Sequence, residues 1–143
     1  MKTLIVEDDF TCRVLLQSLL APYGDCHAAV DGKEALSAYH LAWKAGEPYD
    51  LICLDIMMPE MDGQNVLREI RGHEESWDIR SHRGATIIMT TALDDVGNVM
   101  SAFDGLCDGY LVKPIEREKL EKMLDQFALR PSAPGAGAPA STP

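Results

Sequence analysis

Three consecutive acids, Glu7, Asp8 and Asp9, follow the apolar run Leu4, Ile5, Val6, and a fourth acid, Asp55, ends the apolar run Leu51, Ile52, Cys53, Leu54. Thr91 and Ala92 follow a third apolar run, and Lys113 and Pro114 close a fourth. Helix capping accounts for one of Asp8 and Asp9, since a carboxylate at a helix start accepts backbone N–H bonds and complements the helix dipole. Asp55 brought beside them needs another explanation. Like charges so close raise one another's pKa or destabilise the fold unless a cation neutralises them. Few and partly solvated oxygen ligands suit Mg²⁺ better than a softer metal. A carboxylate beside Mg²⁺ can attack phosphorus and form an acyl phosphate. Such a transfer depends on positioning and charge neutralisation, for which Lys113 can hold one phosphoryl oxygen, the Thr91 hydroxyl another, and the Ala92 backbone N–H a third bond. Taken singly, Lys113 reads more readily as a surface ion pair and Thr91 as a strand-end hydroxyl. Their joint position favours the site.

These residues meet only if the runs that carry them lie side by side as strands. TLIV (3–6), DCHAAV (25–30), DLICL (50–54), ATIIMT (85–90) and GYLVK (109–113) have strand length, and three of them are apolar on both faces, as parallel strands covered by helices are. Helical spacing lies between them: Phe10 with Val14 and Leu15 with Leu19; Leu36, Tyr39 and Trp43; Val66, Leu67 and Ile70; Val96, Val99, Met100 and Phe103; Leu120, Met123, Leu124 and Phe127. Five repeats of strand then helix predict a doubly wound α/β fold with a parallel sheet, right-handed crossovers and helices on both faces. Ligands of such sheets bind at the carboxyl ends of the strands, where these acids, Thr91 and Lys113 stand.

Composition narrows the function classes. At 143 residues with 46% hydrophobic residues, the chain suits one globular domain. Its formal net charge of −10 argues against a nucleic-acid surface on this domain and for a cation or a basic partner. No apolar run approaches the ~20 residues that span a bilayer, and the N-terminus lacks a signal-peptide pattern, so a cytoplasmic protein without membrane contact is expected. Cys12, Cys26, Cys53 and Cys107 form no C-x-x-C pair, and the four histidines never fall at zinc-ligand spacing near them, so reduced thiols are expected. The polar stretch from Arg71 to Gly84 is expected to prolong the third helix and then connect to the fourth strand, with Trp77 as a possible partner contact. Residues 129–143 form a Pro/Ala/Gly-rich tail or linker stub beyond a domain at 1–128.

VEDD at 6–9, LDIMMPEMDG around Asp55, TTA at 90–92 and GYLVKP at 109–114 resemble, in order and spacing, the receiver domains of two-component response regulators. The likeness to the single-domain chemotaxis regulator implies a flavodoxin-like five-stranded sheet of order 2-1-3-4-5 flanked by five helices. It implies that Asp55 is the phosphoacceptor, served by a histidine kinase or phosphotransfer protein. Asp9 and Asp55 would bind Mg²⁺ directly with the Met57 backbone carbonyl, Asp8 would act through a water, and Glu7 would have no ligand role. Thr91 and Tyr110 would form the switch, and Lys113–Pro114 a cis peptide. Pro59, Met61 and Gly63 would shape the loop after Asp55. A face with Asp95, Asn98, Val99, Tyr110, Val112 and Lys119, on the fourth helix, fifth strand and fifth helix, would meet a downstream protein target, an effector domain or a second copy.

Two other classes fit less well. A phosphohydrolase working through an aspartyl phosphate needs an acid or base two residues after its nucleophile, where Met57 stands, and a flavodoxin-like cofactor binder needs a phosphate cradle these loops lack. Met57 and Leu93 are apolar where many relatives carry groups that orient an attacking water. A long-lived aspartyl phosphate follows from that difference. Loss of the phosphoryl label within seconds, without a phosphatase, would overturn this expectation.

Overall fold

The computed structural model describes residues 1–56, 63–76, 84–92, 97 and 106–131. Its elements are β1 (Lys2–Val6), α1 (Phe10–Leu20), β2 (Asp25–Ala29), α2 (Gly32–Lys44), β3 (Leu51–Asp55), α3 (Gly63–Ser76), β4 (Thr86–Thr91), β5 (Gly109–Val112) and a C-terminal helix (Arg117–Gln126), with a 3-10 turn at Ala21–Tyr23. The strands form one parallel sheet in the order β2-β1-β3-β4-β5, as the resemblance implies. Four α-helices stand among the described residues. Val96, Val99, Met100 and Phe103, which mark the fourth of the five expected, lie outside them, as does Trp77.

Strand alternation explains why the central runs are apolar throughout. Leu4 and Val6 of β1, Ile52 and Leu54 of β3, and Ile87 and Met89 of β4 point to one face, where α2 and α3 contribute Ala35, Tyr39, Val66, Leu67 and Ile70. Ile5, Leu51, Cys53, Ile88 and Leu111 point to the other, against Leu16, Leu19 and Leu20 of α1 and Leu120 and Leu124 of the C-terminal helix. β2 is an edge strand, and three of its five residues are exposed.

The polar stretch that begins at Arg71 remains helical to Ser76 because its charges turn inward. Arg71 Nε donates to the Leu106 carbonyl at 2.7 Å, Nη1 to Glu74 Oε1 at 2.7 Å and to the Ala85 carbonyl at 2.9 Å, and Nη2 to Asp108 Oδ2 at 2.9 Å. The buried Glu74 carboxylate also accepts the Ala85 N–H at 2.8 Å, and Asp108 accepts the Ile87 N–H at 2.8 Å. One guanidinium thereby ties α3 to the starts of β4 and β5. Removing it leaves Glu74 buried with a lone N–H partner, so Arg71→Ala is expected to cost about 2–4 kcal/mol. A urea melt with unchanged slope reads this loss directly, and a shift below about 0.5 kcal/mol would refute the role given to Arg71.

Candidate functional site

Parallel register places the acids. Val6 pairs with Leu54, so one step onward Glu7 comes abreast of Asp55 at the carboxyl edge of the sheet. Glu7 is still tied to the sheet, its N–H donating to the Ala29 carbonyl at 3.0 Å. On the other side Asp55 pairs with Thr90, and Thr91 pairs with Val112. The Lys113 N–H then donates to the Thr91 carbonyl at 2.8 Å, and the Lys113–Pro114 peptide is cis, as expected. Gly63 opens α3 against the same edge, where its N–H donates to the Ile56 carbonyl at 3.0 Å. A Cβ there would run into the Asp55 carbonyl and the Ile56 backbone.

The carboxylates of Glu7, Asp8 and Asp55 each offer an oxygen within 4.8 Å of the others. Glu7 is wholly buried, Asp55 nearly so, and Asp8 faces solvent. The Lys113 ammonium lies 2.9 Å from Glu7 Oε1 and 3.3 Å from Asp55 Oδ2. The contact with the buried Oε1 is an ion pair. Glu7 Oε2 accepts the Asp9 N–H at 3.1 Å, and Arg13 Nη1 donates to the Glu7 carbonyl at 3.0 Å.

Burial by itself would raise the Glu7 pKa, but hydrogen bonds with the Lys113 and Asp55 side chains and the Asp9 N–H, together with the Lys113 charge, hold it below the ordinary value. For Lys113, burial works downward and is outweighed by its bond to Glu7 and the charges of Asp55 and Glu7, so the ammonium is held above its usual range. Burial, followed by the Glu7 charge, pushes the neighbouring Cys12 thiol up to about 12, so it stays a neutral thiol. None of the four cysteines is in a disulfide, as expected.

One placement differs from the expectation. Asp9 was expected as a direct Mg²⁺ ligand and Glu7 as a bystander, yet Glu7 is in the carboxylate cluster and Asp9 is not. Asp9 Oδ2 accepts the Cys12 N–H at 2.9 Å and caps α1. The reason is local: the chain is still strand-like at Glu7, whose side chain shares the Ile5 face with Asp55, while α1 begins at Phe10 and takes Asp9 as its cap. Thr91 is buried, and its hydroxyl donates to the Ala92 carbonyl at 3.3 Å. Thr90, not singled out from sequence, buries a hydroxyl without a hydrogen-bond partner in register with Asp55. Tyr110 is half-buried against the α2/α3 core. Met57, Pro59, Met61, Leu93, Asp95, Asn98 and Val99 lie outside the described residues.

The donor set suits a hard divalent cation. Among the described residues the group is three carboxylates beside one ammonium, an all-oxygen donor set. The family model for the response regulator receiver domain matches residues 3–125. The chain belongs to that family. Receiver domains are signalling switches rather than conventional enzymes. This receiver is 33% identical over 134 residues to the probable transcriptional regulator ycf27 of Cyanophora paradoxa, covering 93% of the chain and 50% of that relative. Among solved structures it is similar to a putative response regulator from Chloroflexus aurantiacus, with a TM-score of 0.71, 27% identity and coverage of 90% and 98% of the two chains. It is also similar to the chemotaxis protein CheY4 of Vibrio cholerae, with a TM-score of 0.64, 28% identity and coverage of 88% and 97% of the two chains. The chain spans about half the length of the first curated relatives it matches. Among the described residues no helix is long and apolar enough to cross a membrane.

The capping role of Asp9 is separable from the acid cluster. Asp9→Ala is expected to lower stability by about 1 kcal/mol, whereas Asp9→Asn, which keeps a cap acceptor, is expected to leave it nearly unchanged. Equal losses in the two variants, measured by denaturant unfolding, would remove the cap from the account.

Proposed function

We propose that this receiver takes a phosphoryl group onto Asp55 from a phosphohistidine of a histidine kinase or phosphotransfer protein. An Asp55 carboxylate oxygen attacks phosphorus, the P–N bond breaks with its electron pair going to the imidazole nitrogen, and an acyl phosphate forms. The observation that carries this reading is a buried Asp55 with Glu7 and Asp8 beside it and the Lys113 ammonium 3.3 Å from its oxygen. Lys113 is placed to receive a phosphoryl oxygen, while the Thr91 hydroxyl would exchange the Ala92 carbonyl for another and the Ala92 N–H would donate to a third. Mg²⁺ held by Glu7, Asp8, Asp55 and the Met57 carbonyl would neutralise the charge gathered on the phosphoryl oxygens. Asp9 keeps its place as the helix cap.

The switch reading rests on the same residues. Movement of Thr91 toward the phosphoryl group empties space that Tyr110, two strand positions before Val112, would enter. Shifting a two-state ratio from 1:99 to 99:1 needs about 5.5 kcal/mol of preference, which a few charge-assisted hydrogen bonds can supply. The surface around Tyr110, Val112 and Lys119 would then meet a downstream protein, an effector domain or a second copy. The receiver would occupy residues 1–128, with 129–143 as a tail or linker, and would work in the cytoplasm.

Leu15 of α1 lines a groove of about 390 Å³ with Cys12, Lys113 and Pro114, and Phe10 and Val14 are exposed on the same helix. This apolar surface beside Asp55 suits the docking of the phosphodonor protein. Phe10→Ser should slow transfer from a phosphohistidine protein and leave labelling by acetyl phosphate unchanged.

Incubation with acetyl phosphate and Mg²⁺, followed by intact-mass measurement, should show a gain of one phosphoryl group that is absent in Asp55→Asn. Glu7→Gln and Asp8→Asn should each weaken Mg²⁺ binding by about tenfold or more, with Asp9→Asn close to wild type. If Asp9→Asn abolishes labelling and Glu7→Gln does not, the carboxylate set is wrong. Turnover of phosphate esters would instead indicate a hydrolase.

A further inference from the structure

Thr90 lies on β4 in register with Asp55 of β3 and with Leu111 of β5. Side chains alternate along a strand, and Ile88, two residues before Thr90, packs with Leu111 on the face covered by α1 and the C-terminal helix. The Thr90 side chain therefore stands on that face, beside Asp55. It is 1% exposed, and its hydroxyl has no hydrogen-bond partner among the described residues. A buried, unpartnered hydroxyl costs free energy that a valine of the same shape avoids. Packing explains a branched side chain at this position and leaves its oxygen unexplained.

The neighbours supply a reason. Lys113 is two residues beyond Leu111, so it leaves β5 on the same face, and its ammonium is 3.3 Å from Asp55 Oδ2 and 2.9 Å from Glu7 Oε1. Because β4 lies between β5 and β3, the lysine stem crosses the carboxyl end of β4 beside Thr90. The Lys113 side chain is 28% exposed, open enough to follow a new anion, whereas Thr90 is enclosed and stiff about χ1. Thr91, one residue on, stands on the other face of the pleat, so the two hydroxyls serve separate tasks.

We propose that Thr90 is a positioning residue for Asp55 whose hydroxyl is engaged only when Asp55 is phosphorylated, an inference that rests on Asp55 as the phosphoacceptor. In the resting protein the ammonium holds Asp55 Oδ2 and the Thr90 hydroxyl is idle. A phosphoryl group draws the ammonium to one of its own oxygens, and the Asp55 oxygen not bonded to phosphorus loses that contact. Thr90 is the adjacent donor on the same face. A carbonyl oxygen has two lone pairs, so it accepts this bond even when a metal takes the other. The bond fixes the Asp55 carboxyl plane while Lys113 serves the phosphoryl group, and it favours the phosphorylated state over the resting one.

Two conservative variants of the full chain separate the oxygen from the packing. Thr90→Val keeps the shape and removes the hydroxyl, whereas Thr90→Ser keeps the hydroxyl and removes a methyl group. Each is unfolded in urea at rest and titrated with beryllofluoride and Mg²⁺, a non-covalent stand-in for the phosphoryl group. Thr90→Val should leave the resting urea midpoint unchanged or raised and weaken beryllofluoride binding by about tenfold, while Thr90→Ser should lower the midpoint and bind within about twofold of wild type. A merely structural role would rank the variants alike in both measurements. Binding by Thr90→Val as tight as wild type, binding by Thr90→Ser as weak as Thr90→Val, or a midpoint lowered by Thr90→Val would each overturn the inference. Labelling of the wild-type protein by acetyl phosphate checks the phosphoacceptor separately. An unlabelled wild type would overturn the reading of Asp55 and this inference with it, whereas a labelled wild type with unaltered beryllofluoride binding in Thr90→Val would overturn this inference alone.

Discussion

Two carboxylates held side by side on adjacent parallel strands set the terms for the rest of this receiver. The register that pairs Val6 with Leu54 leaves Glu7 and Asp55 no separation, and helices on both faces of the sheet keep water from screening them. Their repulsion is offset by the Lys113 ammonium, delivered by β5 from two strands away from β3 in the sheet.

The same arrangement explains how the site can respond to a ligand. Lys113 is already held by the acids, and a new anion on Asp55 would draw on the same ammonium and on the Thr91 hydroxyl, which donates to the Ala92 carbonyl at 3.3 Å. Such rearrangement needs a frame that does not yield. Arg71 helps supply it, joining α3 to Ala85, Leu106 and Asp108 at the opposite end of β4 and β5.

The fold was legible because both periods were clear. Continuous apolar runs at 3–6, 51–54 and 86–89 could satisfy two helical layers only as buried parallel strands, and the helix contacts came from residues spaced by three and four. Less legible was the end of α3, where Arg71 and Glu74 look like solvated loop residues until each other, Ala85 and Asp108 are seen around them. In the acid cluster the sequence points to Asp9 as the partner of Asp55, whereas the carboxylates that stand with Asp55 are those of Glu7 and Asp8. Neighbouring acids in VEDD are chemically alike, and only the strand pleat and the start of α1 distinguish the buried one from the cap.

By itself the sequence determined the layers, the strand-end location of the chemistry and the residue types available there, since these follow from apolar periodicity and from the few side chains that can hold charge. Tertiary structure decided which carboxylate faces Asp55, because side-chain direction depends on register and on where a helix begins. It also decided that His40 and His73, separated along the chain, would meet ring to ring across two helices. Contacts between elements are set by packing, which the linear order of residues does not display.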